Sequence, residues 1–118
     1  MNPNEPTPFE KASNSIPDFL EEIRKRPGMW LGEKSLLAFR ALFYGLHLAE
    51  ELYNIPDNQK LIGFDWKEFE DWVYKKYNKN HLSVLSHYHA QQMASSDSEA
   101  LDKWFEIYDT YRRETDIK

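Results

Sequence analysis

The sequence predicts an all-α protein, a compact single-domain bundle of four to six helices packed around one central apolar helix. Apolar side chains recur every three or four residues in several segments, which is the spacing of one helix face. A serine or aspartate precedes most of these segments at a position suited to an N-cap. No segment of strand length alternates apolar with polar residues, and 118 residues suit a single domain.

The charge balance limits the classes of partner. The chain carries 20 acidic and 15 basic side chains, a formal net charge of −5. Binding to nucleic acid is disfavoured because it requires clustered Lys and Arg, whereas an acidic surface suits a basic protein partner. The absence of cysteine excludes disulfides and thiolate chemistry. No signal-like or membrane-length apolar segment occurs, so we expect a cytoplasmic protein without a membrane partner.

The chain begins with a segment that is poor in apolar groups. Residues 1–14 contain three prolines and are predicted to form a flexible arm that Phe9 attaches to the body. Residues 15–118 are predicted to form the helical domain. Its first helix extends from about Pro17 to Lys25 after an N-cap at Ser15. The inward face of this helix consists of Phe19, Leu20 and Ile23.

A glycine-containing turn follows and forms a structural motif. Pro27 biases Arg26 away from helical backbone angles, so the first helix should end there. Gly28 and Gly32 permit backbone angles that other residues avoid. The apolar residues between the two glycines are predicted to fill the core, and they are Met29, Trp30 and Leu31.

The second helix is predicted to be the central one. It begins after Ser35 and continues to about Tyr53. It is apolar on almost every side, which favours neighbours on several sides. Gly45 in its interior suggests that another backbone approaches closely. One apolar stripe contains Leu37, Ala38, Ala41, Gly45, Leu48 and Leu52. The adjacent stripe contains Phe39, Leu42, Phe43, Leu46 and Ala49.

Three further helices complete the prediction. Residues 54–63 form a loop with a turn at Pro56, and Asp65 caps a helix that extends to about Tyr77. The inward face of that helix contains Trp66, Phe69, Val73 and Tyr77, and Trp72 extends it. A fourth helix is expected over residues 82–94. Ser96 and Glu99 are spaced as a capping box for a fifth helix, which continues to about Arg113. The inward face of this helix contains Leu101, Trp104, Phe105, Tyr108 and Tyr111.

Histidines and mixed charges provide weak indications of chemistry. His87 and His89 could suggest a metal site, with His81 and His47 as further donors, but residues two apart on a helix point in different directions. We therefore predict no metal. Arg40, His47 and Glu51 share one face of the second helix and could form a polar network or an acid–base pair. No nucleophile accompanies them, so we predict neither catalytic residues nor enzymatic activity.

The segment RKRPGMWLG, residues 24–32, resembles RKRPGMYIG in the ATPase domain of DNA gyrase and its type II topoisomerase relatives. In that family the next helix supplies a Glu and, four residues later, an Asn that holds magnesium; Glu50 and Asn54 have this spacing. Beyond Asn54 the only glycine is Gly63, so the family's glycine-rich phosphate-binding segments are missing. A nucleotide-binding or enzymatic domain using this turn stays an alternative, and we expect no cofactor.

A longer part of the chain, about residues 19–112, resembles small all-helical bacterial proteins with an RPGMY-like signature. The likeness combines RPGMWLG, the helix capped by Ser35, the residues Phe69 and Trp72-Val73, and the segment SSDSEALDKWFEIYDTYRR. Trp30 stands where that signature has Tyr. Some such proteins are immunity proteins encoded beside secreted polymorphic toxins. The resemblance implies a protein that neutralises a cognate toxin and is not an enzyme.

Acidic and aromatic residues on two helices are the candidate partner-binding positions. Acidic runs are usually the solvated faces of amphipathic helices. In an immunity protein they could occupy the basic cleft of a toxin that cuts nucleic acids, with aromatic rings as anchors. A helical protein–protein interaction module is a further alternative. The candidate residues are Asp65, Glu68, Glu70, Asp71, Trp72, Tyr74, Asp102, Glu106 and Asp109.

Overall fold

The structure, a computed structural model, describes residues 4–77 and 85–116 and is all-helical over these residues. A 3-10 turn at Asp57–Gln59 interrupts the long loop. The helices are α1 Pro8–Ala12, α2 Ile16–Lys25, α3 Pro27–Leu31, α4 Leu36–Leu52, α5 Trp66–Tyr77, α6 Ser86–Gln92 and α7 Asp97–Thr115. This confirms the all-α class but not the predicted four to six helices, because the short helices α1 and α3 occupy segments predicted as arm and turn.

Four predicted N-caps fix the starts of four helices. The backbone N–H of Asp18 donates to Ser15 Oγ at 3.2 Å at the start of α2. Equivalent bonds to Ser35, Asp65 and Ser96 begin α4, α5 and α7 at 3.0, 3.1 and 3.1 Å. Each bond satisfies one N–H group that a helix leaves without an internal partner. The predicted starts of these helices are therefore confirmed to within about one residue.

The RPGMWLG motif forms a short helix between two sharp backbone changes. Arg26 leaves the helical region with φ −136°, as the following proline requires, and ends α2. Gly32 has φ +81° and ends α3. Gly28 lies inside α3 and needs no positive φ. The prediction that all three residues between the glycines fill the core was wrong for Met29, because its position on α3 faces solvent.

The central helix is α7, and the prediction that the second predicted helix occupies the centre was wrong. Helix α7 packs against α4, α5 and α6. Only Leu36 and Phe39 are fully buried in α4, whereas α7 buries Ala100, Leu101, Trp104, Phe105, Ile107, Tyr108 and Tyr111. The apolar content of α4 did not reveal its position because burial depends on where neighbouring helices lie. No backbone approaches Gly45, where an added Cβ would meet no atom within 4 Å.

Aromatic rings contact one another across several of the helices. The ring of Trp104 lies 4.6 Å from Phe39, 5.5 Å from Phe69 and 5.6 Å from Tyr108, so it joins α4, α5 and α7. Ring pairs at these separations add stability beyond their buried area. Arg24 of α2 pairs with Asp109 of α7 at 2.7 Å and lies over the ring of Phe105. The core therefore holds α2 as well as α4 and α5 around α7.

The N-terminal segment contains structure that the sequence did not predict. Thr7 caps α1, which packs against α2, and Ala12 belongs to the core. The ring of Phe9 lies 5.2 Å from Trp30, as expected from its proposed attachment to the body. The predicted fourth helix, residues 82–94, corresponds to α6, which covers Ser86–Gln92. Residues 82–84 of that prediction, and His81, lie outside the described residues.

Candidate functional site

An open cleft lies where the start of α5 meets the last turns of α7. Its volume is about 800 Å³, and a neighbouring cavity of about 360 Å³ shares Asp65, Glu68 and Tyr111 with it. We refer to the two together as the α5–α7 cleft. The loop before α5 contributes one wall, because Gly63 turns the chain with φ +95° just ahead of the cap at Asp65. The cap thus places two candidate carboxylates at one mouth of the cleft.

The carboxylates of α5 in this cleft differ from the candidate carboxylates of α7. Within residues 4–77 and 85–116, Asp65, Glu68 and Asp71 make no ion pair, and all three are exposed. The fourth carboxylate, Asp116, pairs with Arg112 at 2.5 Å. The side chains of Lys67 and Lys75 also line the cleft. The cleft is therefore mixed in charge, with carboxylates that lack an ion pair concentrated on one wall.

Aromatic side chains form the floor of the cleft. Tyr111 is buried, and its ring lies 5.3 Å from that of Trp72. Burial, the charge of Glu68 with a hydrogen bond to it, and the charge of Asp65 raise the pKa of Tyr111, so its hydroxyl stays protonated and can donate. Trp72 is half-buried and stacks beside Phe69. A ligand in the cleft would therefore meet an aromatic surface with carboxylates above it.

The remaining candidate residues of α5 lie outside the cleft. Tyr74 is exposed and is not among the residues that line the cleft. Glu70 is half-buried, and its two oxygens accept hydrogen bonds from the backbone N–H of Ser86 at 3.0 and 3.1 Å. Glu70 thus supplies the N-terminal cap that α6 lacks, since Leu85 at its N-cap position provides no side-chain hydrogen bond.

The candidate carboxylates of α7 each have a cation nearby. Asp102 pairs with Lys34 at 2.6 Å, and Asp109 pairs with Arg24 at 2.7 Å. Glu106 lies 3.3 Å from Lys103 of the same helix. These carboxylates line a smaller cavity of about 250 Å³ that Pro27 also borders. A partner that bound Asp102, Glu106 or Asp109 would have to displace an existing ion pair. The three α5 carboxylates of the α5–α7 cleft make no ion pair with the described residues, so a partner could bind them without that displacement.

His87 and His89 of α6 have different surroundings. His87 is buried, its Nε2 has no hydrogen-bond partner in the described part of the chain, and burial together with Arg40 lowers its pKa. His89 packs with its ring 4.4 Å from Tyr77, and burial lowers its pKa also. No group of three or more His, Asp or Glu side chains suited to a metal occurs among the residues described.

The positions matched to the gyrase segment do not converge on a phosphate-binding loop. Gly28 lies within α3, where open space surrounds it. Glu50 borders a cavity of about 390 Å³ together with Tyr44 and Lys60. Asn54, beyond the end of α4, has φ +52°. A phosphate requires several backbone N–H groups directed at one point, whereas the N–H groups of Met29 and Trp30 already donate to the carbonyl of Arg26.

Sequence reasoning missed an exposed apolar face on α4. The residues Leu37, Ala41, Tyr44, Gly45, Leu48 and Leu52 share one side of the helix and are exposed. The sequence predicts most of this set as an apolar stripe that neighbouring helices cover, and the structure leaves it exposed. One feature of the sequence indicates this face: the helix carries two adjacent apolar stripes, more apolar surface than its neighbouring helices can cover.

Comparisons with protein-family models, with curated proteins and with solved structures found no match to this chain. Over the described ranges, no helix combines the length and apolar character needed to cross a bilayer.

Proposed function

We propose that this chain is an immunity protein, an antitoxin-like inhibitor that binds one cognate protein toxin in the cytoplasm and blocks it by occlusion. The resemblance over residues 19–112 suggests the class. The arrangement of Asp65, Glu68 and Asp71 supports it: these three carboxylates have no ion pair within the described residues and border an open cleft with an aromatic floor.

Carboxylates without an ion pair, placed beside aromatic rings, suit a basic protein surface. A Lys or Arg side chain of the toxin could bind Asp65 or Glu68 while its aliphatic or planar part packs on Tyr111. The net charge of −5 would also speed encounter with a basic active-site cleft. Inhibition by occlusion needs no reactive group, so one inhibitor molecule should neutralise one toxin molecule without turnover.

Co-expression with the product of the neighbouring upstream gene tests the proposal. An immunity protein should relieve the toxicity of that product and copurify with it in a fixed ratio. Titration of purified toxin with this chain should reach complete inhibition at a stoichiometric amount. Failure both to copurify and to relieve toxicity would refute the proposed function.

Charge-neutralising variants test the assignment to the α5–α7 cleft. The triple variant Asp65→Asn, Glu68→Gln, Asp71→Asn removes three charges and retains the cap of α5, because Asn is as good an N-cap as Asp. We expect a slower association rate, reduced by roughly tenfold at low salt. The matched control, Glu10→Gln, Glu33→Gln, Asp57→Asn, changes net charge equally at exposed positions outside the cleft and should have a smaller effect.

One observation favours a second candidate function, a helical protein–protein interaction module. The exposed face of α4 could pack against another helix as an amphipathic helix does in a groove. The nucleotide-binding alternative is tested by titration with ATP and Mg²⁺. Saturable heat in that titration would favour a nucleotide-binding domain over the immunity function.

A further inference from the structure

The exposed apolar face of α4 has a pattern that specifies how it could be covered. We define the α4 stripe as Leu37, Ala41, Tyr44, Gly45, Leu48 and Leu52. Leu37 is 55% exposed, Tyr44 65% and Leu52 74%. Helix α4 is 17 residues long, so the stripe follows nearly its whole length, on the side opposite the buried residues Leu36 and Phe39. A continuous exposed apolar face of this kind marks an interaction surface.

The α4 stripe is symmetric about its own midpoint. Leu37 lies as far before the midpoint between Tyr44 and Gly45 as Leu52 lies after it. Ala41 and Leu48 are related in the same way. If a second copy of α4 packs antiparallel with the two midpoints aligned, each Leu37 faces a Leu52, each Ala41 a Leu48 and each Tyr44 a Gly45. A twofold axis would generate all of these pairs at once.

In two of these three pairs a large side chain faces a small one. An added Cβ at Gly45 would meet no atom within 4 Å, so the backbone there is open to a neighbour. The ring of Tyr44 from a second copy could lie in this shallow recess, and the small side chain of Ala41 leaves room for Leu48. Alternation of large and small side chains allows two helices to approach closely.

Charges on one edge of the stripe also select the antiparallel arrangement. Arg40 and Glu51 lie on the same edge, both are exposed, and neither has an ion pair within the described residues. A twofold axis brings the same edge of both helices to one side. Arg40 of one copy would then lie about 3 Å along the helix axis from Glu51 of the other, given the 1.5 Å rise per residue. A parallel pair would separate these edges.

We propose that two copies of this chain associate through the α4 stripe as an antiparallel, twofold-symmetric helix pair, flanked by two reciprocal contacts between Arg40 and Glu51. This inference is independent of the proposed immunity function, because it uses a different surface. A single helix pair is a small interface, so association is weak and the dimer is in equilibrium with the monomer. None of the stripe residues is among the described residues that line the α5–α7 cleft, although His47 of α4 is.

Sedimentation of the full chain across a concentration series tests the dimer. The native chain should shift from monomer towards dimer as concentration rises. Leu48→Glu places a charge in the middle of the stripe and should abolish the shift. Met93→Glu, at an exposed apolar residue next to α6, introduces the same charge elsewhere and should leave it unchanged. Circular dichroism checks that both variants remain helical.

A charge exchange tests the antiparallel arrangement. Arg40→Glu alone and Glu51→Arg alone each place like charges together at two symmetric contacts and should weaken association roughly tenfold. The double variant restores opposite charges and should recover the native dimer. A monomer at every concentration overturns the proposal, as does a dimer whose double variant shows no recovery. If stripe variants lose protection against toxin while the chain remains monomeric, the stripe binds the toxin and the proposal is wrong.

Discussion

Glu70 of α5 accepts two hydrogen bonds from the backbone N–H of Ser86, at 3.0 and 3.1 Å, and so begins α6 from another helix. The Ser86 hydroxyl in turn accepts a hydrogen bond from Trp104 Nε1 at 3.0 Å. These contacts join α5, α6 and α7 around a buried indole. A residue that the sequence suggested for partner binding therefore has an intramolecular role.

Replacement of Glu70 by Ala should destabilise the protein. The substitution leaves the Ser86 N–H without its acceptor in a partly buried position, which costs about 1–3 kcal/mol. Urea denaturation followed by circular dichroism measures this loss. Asp71→Ala is the matched control, since Asp71 is the next residue of the same helix and is exposed, and it should change stability by less than about 0.5 kcal/mol. Equal losses in the two variants would contradict the capping role of Glu70.

Replacement of Arg26 by Ala should destabilise the protein, because it leaves a buried carboxylate without its ion-pair partner. Glu22 is 2% exposed and accepts from Arg26 at 2.8 Å, whereas Arg26 itself is 43% exposed. Arg26→Ala leaves the carboxylate unpaired and should cost about 2–3 kcal/mol, below the value for a fully buried pair because water reaches the arginine side. Lys25→Ala serves as the exposed control.

A second substitution separates charge from packing at this pair. Glu22→Gln in the Arg26→Ala background removes the unpaired charge while keeping the side-chain shape, so it should restore much of the lost stability. No recovery in a thermal or chemical denaturation series would mean that Arg26 acts through packing alone.

The two glycines of the RPGMWLG motif should respond to alanine in opposite directions. Gly32 has φ +81°, which an alanine adopts only with strain, so Gly32→Ala should destabilise by about 1–2 kcal/mol. Gly28 lies inside α3 with open space at the Cβ position, so Gly28→Ala should stabilise by up to about 1 kcal/mol. Melting temperatures of the two variants against the native chain give the signs directly. Similar shifts in both would contradict the structure of this turn.

Stability should fall as pH decreases below about 6.5. Burial, with Arg40 nearby, lowers the pKa of His87 in the folded protein, and burial lowers that of His89, whereas both have ordinary pKa values near 6.5 when unfolded. Between the folded and unfolded pKa values the unfolded chain binds more protons, so acidification favours unfolding; above 6.5 these groups contribute no pH dependence. Denaturation midpoints measured across pH 5 to 8 test this expectation.

The variant His87→Gln should reduce that pH dependence, because one of the two groups with a lowered pKa is then absent. The slope, rather than the absolute stability, is the relevant measurement, since the substitution also changes a buried contact. An unchanged slope in His87→Gln would assign the effect to other groups.

Features that depend on near neighbours in the chain follow from the sequence alone. Ser15, Ser35, Asp65 and Ser96 each cap a helix because the donor lies three residues away. Pro27 ends α2 for an equally local steric reason.

Packing between distant segments settles which of these helices is central and which carboxylates lack an ion pair. Helix α7 occupies the centre because its large rings meet side chains from segments far away in sequence, and α4 is left with an exposed apolar stripe. Likewise, Asp102 and Asp109 meet cations 68 and 85 residues distant, whereas Asp65 meets none among the described residues. Burial and charge pairing arise between distant segments, so periodicity along the chain reveals an apolar face but not the neighbour that covers it.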